Sequence, residues 1–418
     1  MKHRWVWPLL FGALGCQAKA GGAGASSASA PASAPPAAGA IIAADGTCST
    51  KLEYLVAPQK YGDRDLIRAI VVDGDQVFFR NMADVFRVPL AGGAATSLGK
   101  GPALSLSGTT VLWTSGDKLV TQSPGEPIFM STAKVGGGWS NIVDLTAAKL
   151  GGGRDAATRI LQGLGKGATP QATRADFDGQ AFYFAEITHA KGPNGAASSV
   201  MKSVSLSGGE ARTLYQSAGE IQEVRRAGDQ LTFMLTAPPT PEQIRRNEAE
   251  RAAKKYVFGV KGESHLMSMP LAGGEPKKLM RIGAFMTGLG LGGVVLGADG
   301  AKVYVSGFRD EDLTKPGIFR VDATGGGVEE LDKRVLNGSV FASGDSLVFV
   351  GGGVVEPGKT QHGHLVLTAP RQGKSLRLAA CITDKSTLHA AAVSGKVALL
   401  SLFQSGAGLA GIARIPLP

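Results

Sequence analysis

Four short runs in this sequence carry residue types that do catalytic or ligand-binding chemistry. Gly344-Asp345-Ser346-Leu347 sets a serine in a GDSL string. A nucleophilic serine needs a strained strand-to-helix turn that exposes its hydroxyl. Strand-like residues lie on both sides of this one and no helical pattern follows, so a hairpin turn is expected. Gly288-Leu289-Gly290-Leu291-Gly292-Gly293 satisfies GxGxxG. That pattern cradles phosphate where it opens a helix, whose first N–H groups bind the anion. Here it precedes Val294-Val295-Leu296, a strand pattern, and the cradle is absent. His362-Gly363-His364 would place two imidazoles on one face of a strand. No nearby carboxylate or cysteine completes a metal ligand set, so a surface hairpin tip is expected. Asp176-Phe177-Asp178-Gly179 starts like a calcium loop but lacks the further acidic positions, and reads as a turn. His189, His265 and His389 stand alone. No catalytic residue, metal ligand or cofactor is assigned from these runs.

What must position any such group is a repeat. A turn marker recurs at Asp73-Gly74, Ser107-Gly108, Asp178-Gly179, Gly228-Asp229, Asp299-Gly300, Gly344-Asp345 and Ser394-Gly395. A short β-branched or aromatic run follows each time, as in Val77-Phe78-Phe79 and Val303-Tyr304-Val305. A second marker, Val88-Pro89-Leu90-Ala91-Gly92-Gly93, is echoed in Val204-Ser205-Leu206-Ser207-Gly208-Gly209 and Met269-Pro270-Leu271-Ala272-Gly273-Gly274. It returns in Val321-Asp322-Ala323-Thr324-Gly325-Gly326. The 60 glycines of the 418-residue chain are thus mostly punctuation between short strands.

Seven such markers predict an all-β protein, a β-propeller of seven four-stranded blades, with six or eight left open by uneven spacing. The wording of the repeat resembles that of TolB-like and related bacterial propeller lipoproteins over roughly residues 50–418. The resemblance implies the fold and leaves the function open. Blade one is expected as strands near 66–72, 76–80, 85–90 and 94–98. The last blade has strands near 388–393, 397–402 and 410–416 and lacks a fourth. The N-terminal strand 51–56 would complete it and close the ring, which removes an exposed edge. Two insertions are expected, at about 131–170 and 238–258. The first holds a candidate helix after Asp155. The second opens Thr240-Pro241-Glu242, with a threonine cap, proline in the first turn and early acid. Its cations Arg245, Arg246, Arg251, Lys254 and Lys255 are the candidate partner-binding residues.

Residues 1–16 look like a bacterial lipoprotein signal peptide: Lys2 and Arg4, a short apolar run, then Ala13-Leu14-Gly15-Cys16. Cys16 would carry the lipid; the alternative is an ordinary cleaved signal. The apolar run is too short to span a bilayer. By resemblance to enterobacterial sorting, Gln17 after the cysteine implies the outer membrane. Residues 17–47 are rich in Gly, Ala, Ser and Pro, a flexible tether. The propeller would occupy 48–418. Cys48 would start the borrowed strand and Cys381 end an outer strand of the preceding blade. In an oxidising compartment they are expected to form a disulfide, the alternative being two free thiols.

The formal charge of +10 is spread rather than gathered into a stripe with interleaved aromatics, so no nucleic-acid partner is expected. The expectation is a monomeric, lipid-anchored, non-catalytic scaffold in the bacterial cell envelope, binding a protein or envelope polymer. The alternative is a propeller hydrolase or lyase with its site in the central funnel.

Overall fold

The computed structural model describes the strands, one helix and most turns, chiefly within residues 51–100, 111–144, 171–205, 211–252, 262–282, 294–354 and 362–418. Ahead of the repeats come β1 (Ile41–Ile42), β2 (Cys48–Ser49) and β3 (Glu53–Gln59). Blade one is β4 (Ala69–Asp73), β5 (Gln76–Arg80), β6 (Asp84–Pro89) and β7 (Thr96–Lys100). Blade two is β8 (Val111–Ser115), β9 (Lys118–Ser123), β10 (Phe129–Lys134) and β11 (Trp139–Asp144). In blade three, the short β12 (Gln171–Ala172) and β13 (Asp176–Phe177) pair successive parts of β14 (Ala181–His189). Then follow β15 (Ala197–Ser205) and β16 (Arg212–Ser217). Blade four is β17 (Glu220–Ala227), β18 (Gln230–Thr236), β19 (Ser264–Pro270) and β20 (Lys277–Arg281), with the helix α1 (Pro241–Ala252) between its middle strands. Blade five is β21 (Val294–Asp299), β22 (Lys302–Phe308), β23 (Pro316–Asp322) and β24 (Val328–Asp332). Blade six is β25 (Leu336–Ser343), β26 (Ser346–Val354), β27 (His362–Pro370) and β28 (Arg377–Ile382). Blade seven is β29 (Ser386–Ser394), β30 (Val397–Gln404), β31 (Leu409–Pro416) and the borrowed β3.

These seven antiparallel sheets are the blades of a β-propeller closed by the N-terminal strand. The first strand of each blade lies innermost: β29 touches β4, β4 touches β8, β17 touches β21, β21 touches β25 and β25 touches β29. The core lies between blades rather than inside one. Tyr304 packs with Phe349 and Leu367 of blade six, while its neighbours Val303 and Val305 pack with Ala227 and Met234 of blade four. Val77 and Phe79 face Leu399 and Ile412 of blade seven in the same way. A middle strand buried on both faces needs an unbroken apolar run, which is why these segments lack alternation.

The repeated markers make one face of the ring. The first hairpin of blades one, four, five, six and seven turns at Gly74, Gly228, Gly300, Gly344 and Gly395, with φ of 53–60°. Glycine in the first central position gives the II′ turn that suits strand twist. The second hairpin of blades one, four, five and six, and the chain end after β31 in blade seven, return to the first. Leu90, Leu271, Ala323, Arg371 and Leu417 each donate an N–H to a carbonyl of that turn, at 2.7–3.1 Å. The opposite face carries the links between middle strands and between blades, and these do not repeat.

Two expectations about insertions meet the structure differently. Residues 129–134 and 139–144 form the outer half of blade two, so the first long gap begins as regular blade. The candidate helix after Asp155 lies outside the described residues. The second insertion is α1. Thr240 Oγ1 accepts from Gln243 N at 3.2 Å and Gln243 Oε1 accepts from Thr240 N at 2.7 Å, a reciprocal cap.

Candidate functional site

The motif runs are absorbed by the scaffold. Ser346 of the GDSL string pairs with Ser343 across a hairpin turn. Asp178 accepts from Ala181 N at 2.7 Å and from the Tyr183 hydroxyl at 2.9 Å, while Asp176 accepts from Arg226 N at 2.5 Å. Burial first, then the Asp178 carboxylate, raises the Tyr183 pKa. Asp178 is thereby committed to a turn, while Asp176 ties blade three to the inner strand of blade four. The GxGxxG run lies outside the described residues, directly before β21.

The histidine pair is where expectation and structure part. His362 and His364 start β27, and His364 reaches out of its blade. Its Nε2–H donates to the Ser386 carbonyl of blade seven at 2.8 Å. Nδ1 is buried and has no hydrogen-bond partner among the described residues. His364 is a strut between blades rather than a hairpin tip.

That strut is one of a series. Ser199 Oγ donates to Gly219 O at 2.8 Å and accepts from Ile221 N at 2.9 Å. Ser306 Oγ accepts from Leu336 N, and Ser401 Oγ donates to Ile67 O, each at 2.7 Å. All four side chains clasp the start of the next blade's innermost strand, on the non-repeating face. In blade one the rung of Ser306 and Ser401 is held by Arg80, which is fully buried and whose pKa desolvation lowers to about 10.

The innermost strands themselves carry register breaks. In β17, Gln222 pairs with Met234 and Arg225 with Thr232, so Glu223 and Val224 both oppose Phe233. In β29 the break falls at His389, between Leu388 and Ala390. A bulge re-aims the side chain it carries. Glu223 is the one non-glycine residue with positive φ, 53°, among the described residues. Its carboxylate meets Arg225 Nη2 at 3.1 Å, and Arg225 Nη1 donates to Val224 O at 2.8 Å. His389 is partly buried and meets the Phe403 ring edge-on at 6.1 Å. Sequence reading left Glu223 unmentioned and His389 isolated. The available signal was spacing: Ile221 and Val224 face the same neighbouring blade although three residues apart, which a regular strand forbids.

Elsewhere the ionisable groups are structural. Hydrogen bonds from Lys302 and then Thr324 hold Asp322 at a pKa of about 2. Burial, then Lys278, lowers the His265 pKa. Of the candidate docking cations, Arg245 and Arg246 are exposed on α1 and Arg251 lies in its last turn, but the helix sequence carries Glu242, Glu248 and Glu250 against them. Lys254 and Lys255 lie outside the described residues, as does Cys16. Cys381 is buried and disulfide-bonded, and β2, which begins at Cys48, pairs with β28 through Ser49 and Ile382.

No protein-family model and no curated protein matches the chain. Among solved structures it is similar to oligogalacturonate lyase from Vibrio parahaemolyticus, at 10% identity and a TM-score of 0.52, covering 91% of this chain and 97% of that one. It is similar to an oligogalacturonate lyase in complex with manganese at 11% identity and a TM-score of 0.52, covering 89% and 99%. Among the described residues no group of three or more His, Cys, Asp or Glu could hold a metal ion. These matches correct one expectation. The chain was read as a non-catalytic scaffold, yet the structures it follows almost end to end are those of an enzyme, which favours the alternative of a propeller hydrolase or lyase. At such identity the likeness itself defines the fold.

Proposed function

We propose that the protein is a glycan-cleaving propeller enzyme, a lyase before a hydrolase, acting on an anionic oligosaccharide at the channel mouth on the non-repeating face. The observation that carries this is the end-to-end fold match to oligogalacturonate lyase. The net charge of +10, or +8 without Lys2 and Arg4 of the signal peptide, suits a polyanionic substrate. Elimination from a uronate needs a base for the proton beside the carboxylate. The C–H electrons then form the double bond, the glycosidic C–O bond breaks, and the leaving oxygen takes a proton; no water is consumed. His389 is the one imidazole on the described innermost strands, and we assign it the proton transfer.

The test is incubation of purified protein with oligogalacturonate and with other acidic and neutral oligosaccharides. A lyase produces ultraviolet absorbance from the new double bond; a hydrolase produces reducing ends without it. His389→Ala should lower kcat by about 100-fold or more. Absence of product from every acidic oligosaccharide refutes the reading. We further propose that the enzyme is a bacterial envelope lipoprotein held through Cys16 by a tether up to residue 47. Cys16→Ser should move it from the membrane fraction to the soluble fraction.

A further inference from the structure

The bulge of blade four has a conformation that its sequence does not favour. A left-handed backbone is disfavoured at any residue with a Cβ, and glutamate has none of the local hydrogen bonding that helps Asn or Asp there. Blade five breaks its inner strand at nearly the same height, between Val295 and Gly297, without a residue in the left-handed helical region: Gly297 has a nearly extended φ of 154°. A break at this level thus needs no left-handed residue, and blade four nevertheless places one at Glu223. Strain kept in a packed scaffold is a sign that the side chain is needed where it is.

The bulge turns two neighbours apart. Val224 is fully buried in the core between blades three and four, on the same side as Ile221. Glu223 keeps 35% of its side chain exposed, against 12% for Arg225. β17 is the first strand of its sheet, so its unpaired edge looks toward the ring axis. Arg225 is tied at both ends of its fork, to Glu223 and to the Val224 carbonyl. The guanidinium acts as a fixed backing for the carboxylate. Gln222 and Glu220, hydrogen-bonded to each other, sit one step nearer the channel mouth.

We infer that Glu223 contacts ligand in the channel, its carboxylate accepting hydrogen bonds from adjacent hydroxyls of a glycan, with Arg225 as its positioning residue. A carboxylate held by a guanidinium has fixed lone pairs at the spacing of a vicinal diol, and hydrogen bonds to charged acceptors are the strong kind. The glycan identity rests on the enzyme reading above; the strained presentation of Glu223 does not.

The experiment compares Glu223→Ala with Glu223→Gly. Both remove the carboxylate and the ion pair equally, so their difference reports the backbone alone. The glycine variant should melt about 1–2 °C above the alanine variant. Both should weaken binding of acidic oligosaccharides, oligogalacturonate first, by about 10- to 100-fold in Kd. Equal melting temperatures for Ala and Gly would refute the strained bulge. Wild-type Kd in both variants, or no oligosaccharide binding by the wild type, would refute the ligand contact. Binding without cleavage by the wild type would leave this inference standing and remove the enzymatic one.

Discussion

Ser306→Ala tests how the ring holds its channel wall. Ser306 has no exposed surface, and its Oγ accepts from the Leu336 amide at 2.7 Å. Leu336 is itself fully buried and begins the inner strand of blade six, where it pairs with Gly353. Alanine removes one oxygen and almost no volume, so packing is preserved and only the acceptor goes. The buried N–H is then left unmet, which costs about 1–3 kcal/mol. For the roughly 370 residues from β2 to the C-terminus the unfolding entropy is about 0.8 kcal/mol/K, so the melting temperature should fall by about 1–4 °C. The loss should be local in its kinetics. Amide hydrogen exchange should accelerate at Leu336 and the residues after it, while β5 and β30 keep wild-type protection. Wild-type exchange at Leu336 together with an unchanged melting temperature would show that the hydroxyl holds nothing.

Three other outcomes follow from separate parts of the molecule. Cys48 is the proposed partner of Cys381; non-reducing peptide mapping should recover the two peptides linked, and Cys48→Ser should destabilise by up to about 4–5 kcal/mol in denaturant titrations, since the bridge closes a loop spanning most of the ring. A Cys381 peptide linked to Cys16 would contradict the pairing. Deleting residues 241–252 and rejoining the ends with a short Gly-Ser link should leave the melting temperature within about 1 °C, because α1 is polar and largely exposed. Asp322, depressed to a pKa of about 2 chiefly by Lys302, contributes stability that is complete above about pH 4 and is lost as pH falls toward 2. Asp322→Asn should flatten the stability–pH profile in that window, and an unaltered acid limb would count against the Lys302 contact.

The blades were legible because one constraint is written seven times: a glycine turn followed by a run such as Val303-Tyr304-Val305. A second glycine turn repeats in four of them with its chemistry intact. Ring closure was legible for a complementary reason: blade seven lacked one strand and the segment before blade one had one to spare. The second insertion was legible from a cap that local chemistry alone enforces, Thr240 with Gln243. His364 was misjudged because its role depends on Ser386 in another blade, and no local pattern records that distance in space.

The position of the candidate site follows from the same separation. In four blades the second turn is hydrogen-bonded to the first, in blade seven the chain end takes its place, and further contacts such as Ser343 Oγ to Gly395 O join neighbouring blades on that face. Its residues are the ones that repeat, and a surface built of near-identical corners offers little to tell one ligand from another. On the other face the blades diverge: serines clasp three of the innermost strands and His364 a fourth, Arg80 stands at the rung of Ser306 and Ser401 in blade one, and α1 projects from one blade alone. The bulges at Glu223 and His389 break the inner strands without breaking the blades, since β18 and β30 remain regularly paired on their outer sides with β19 and β31. Rigidity is thus supplied by the repeat and individuality by its interruptions. A substitution that relieves the strain of an interruption while removing its side chain, such as Glu223→Gly, is the kind that should spare the fold and weaken binding.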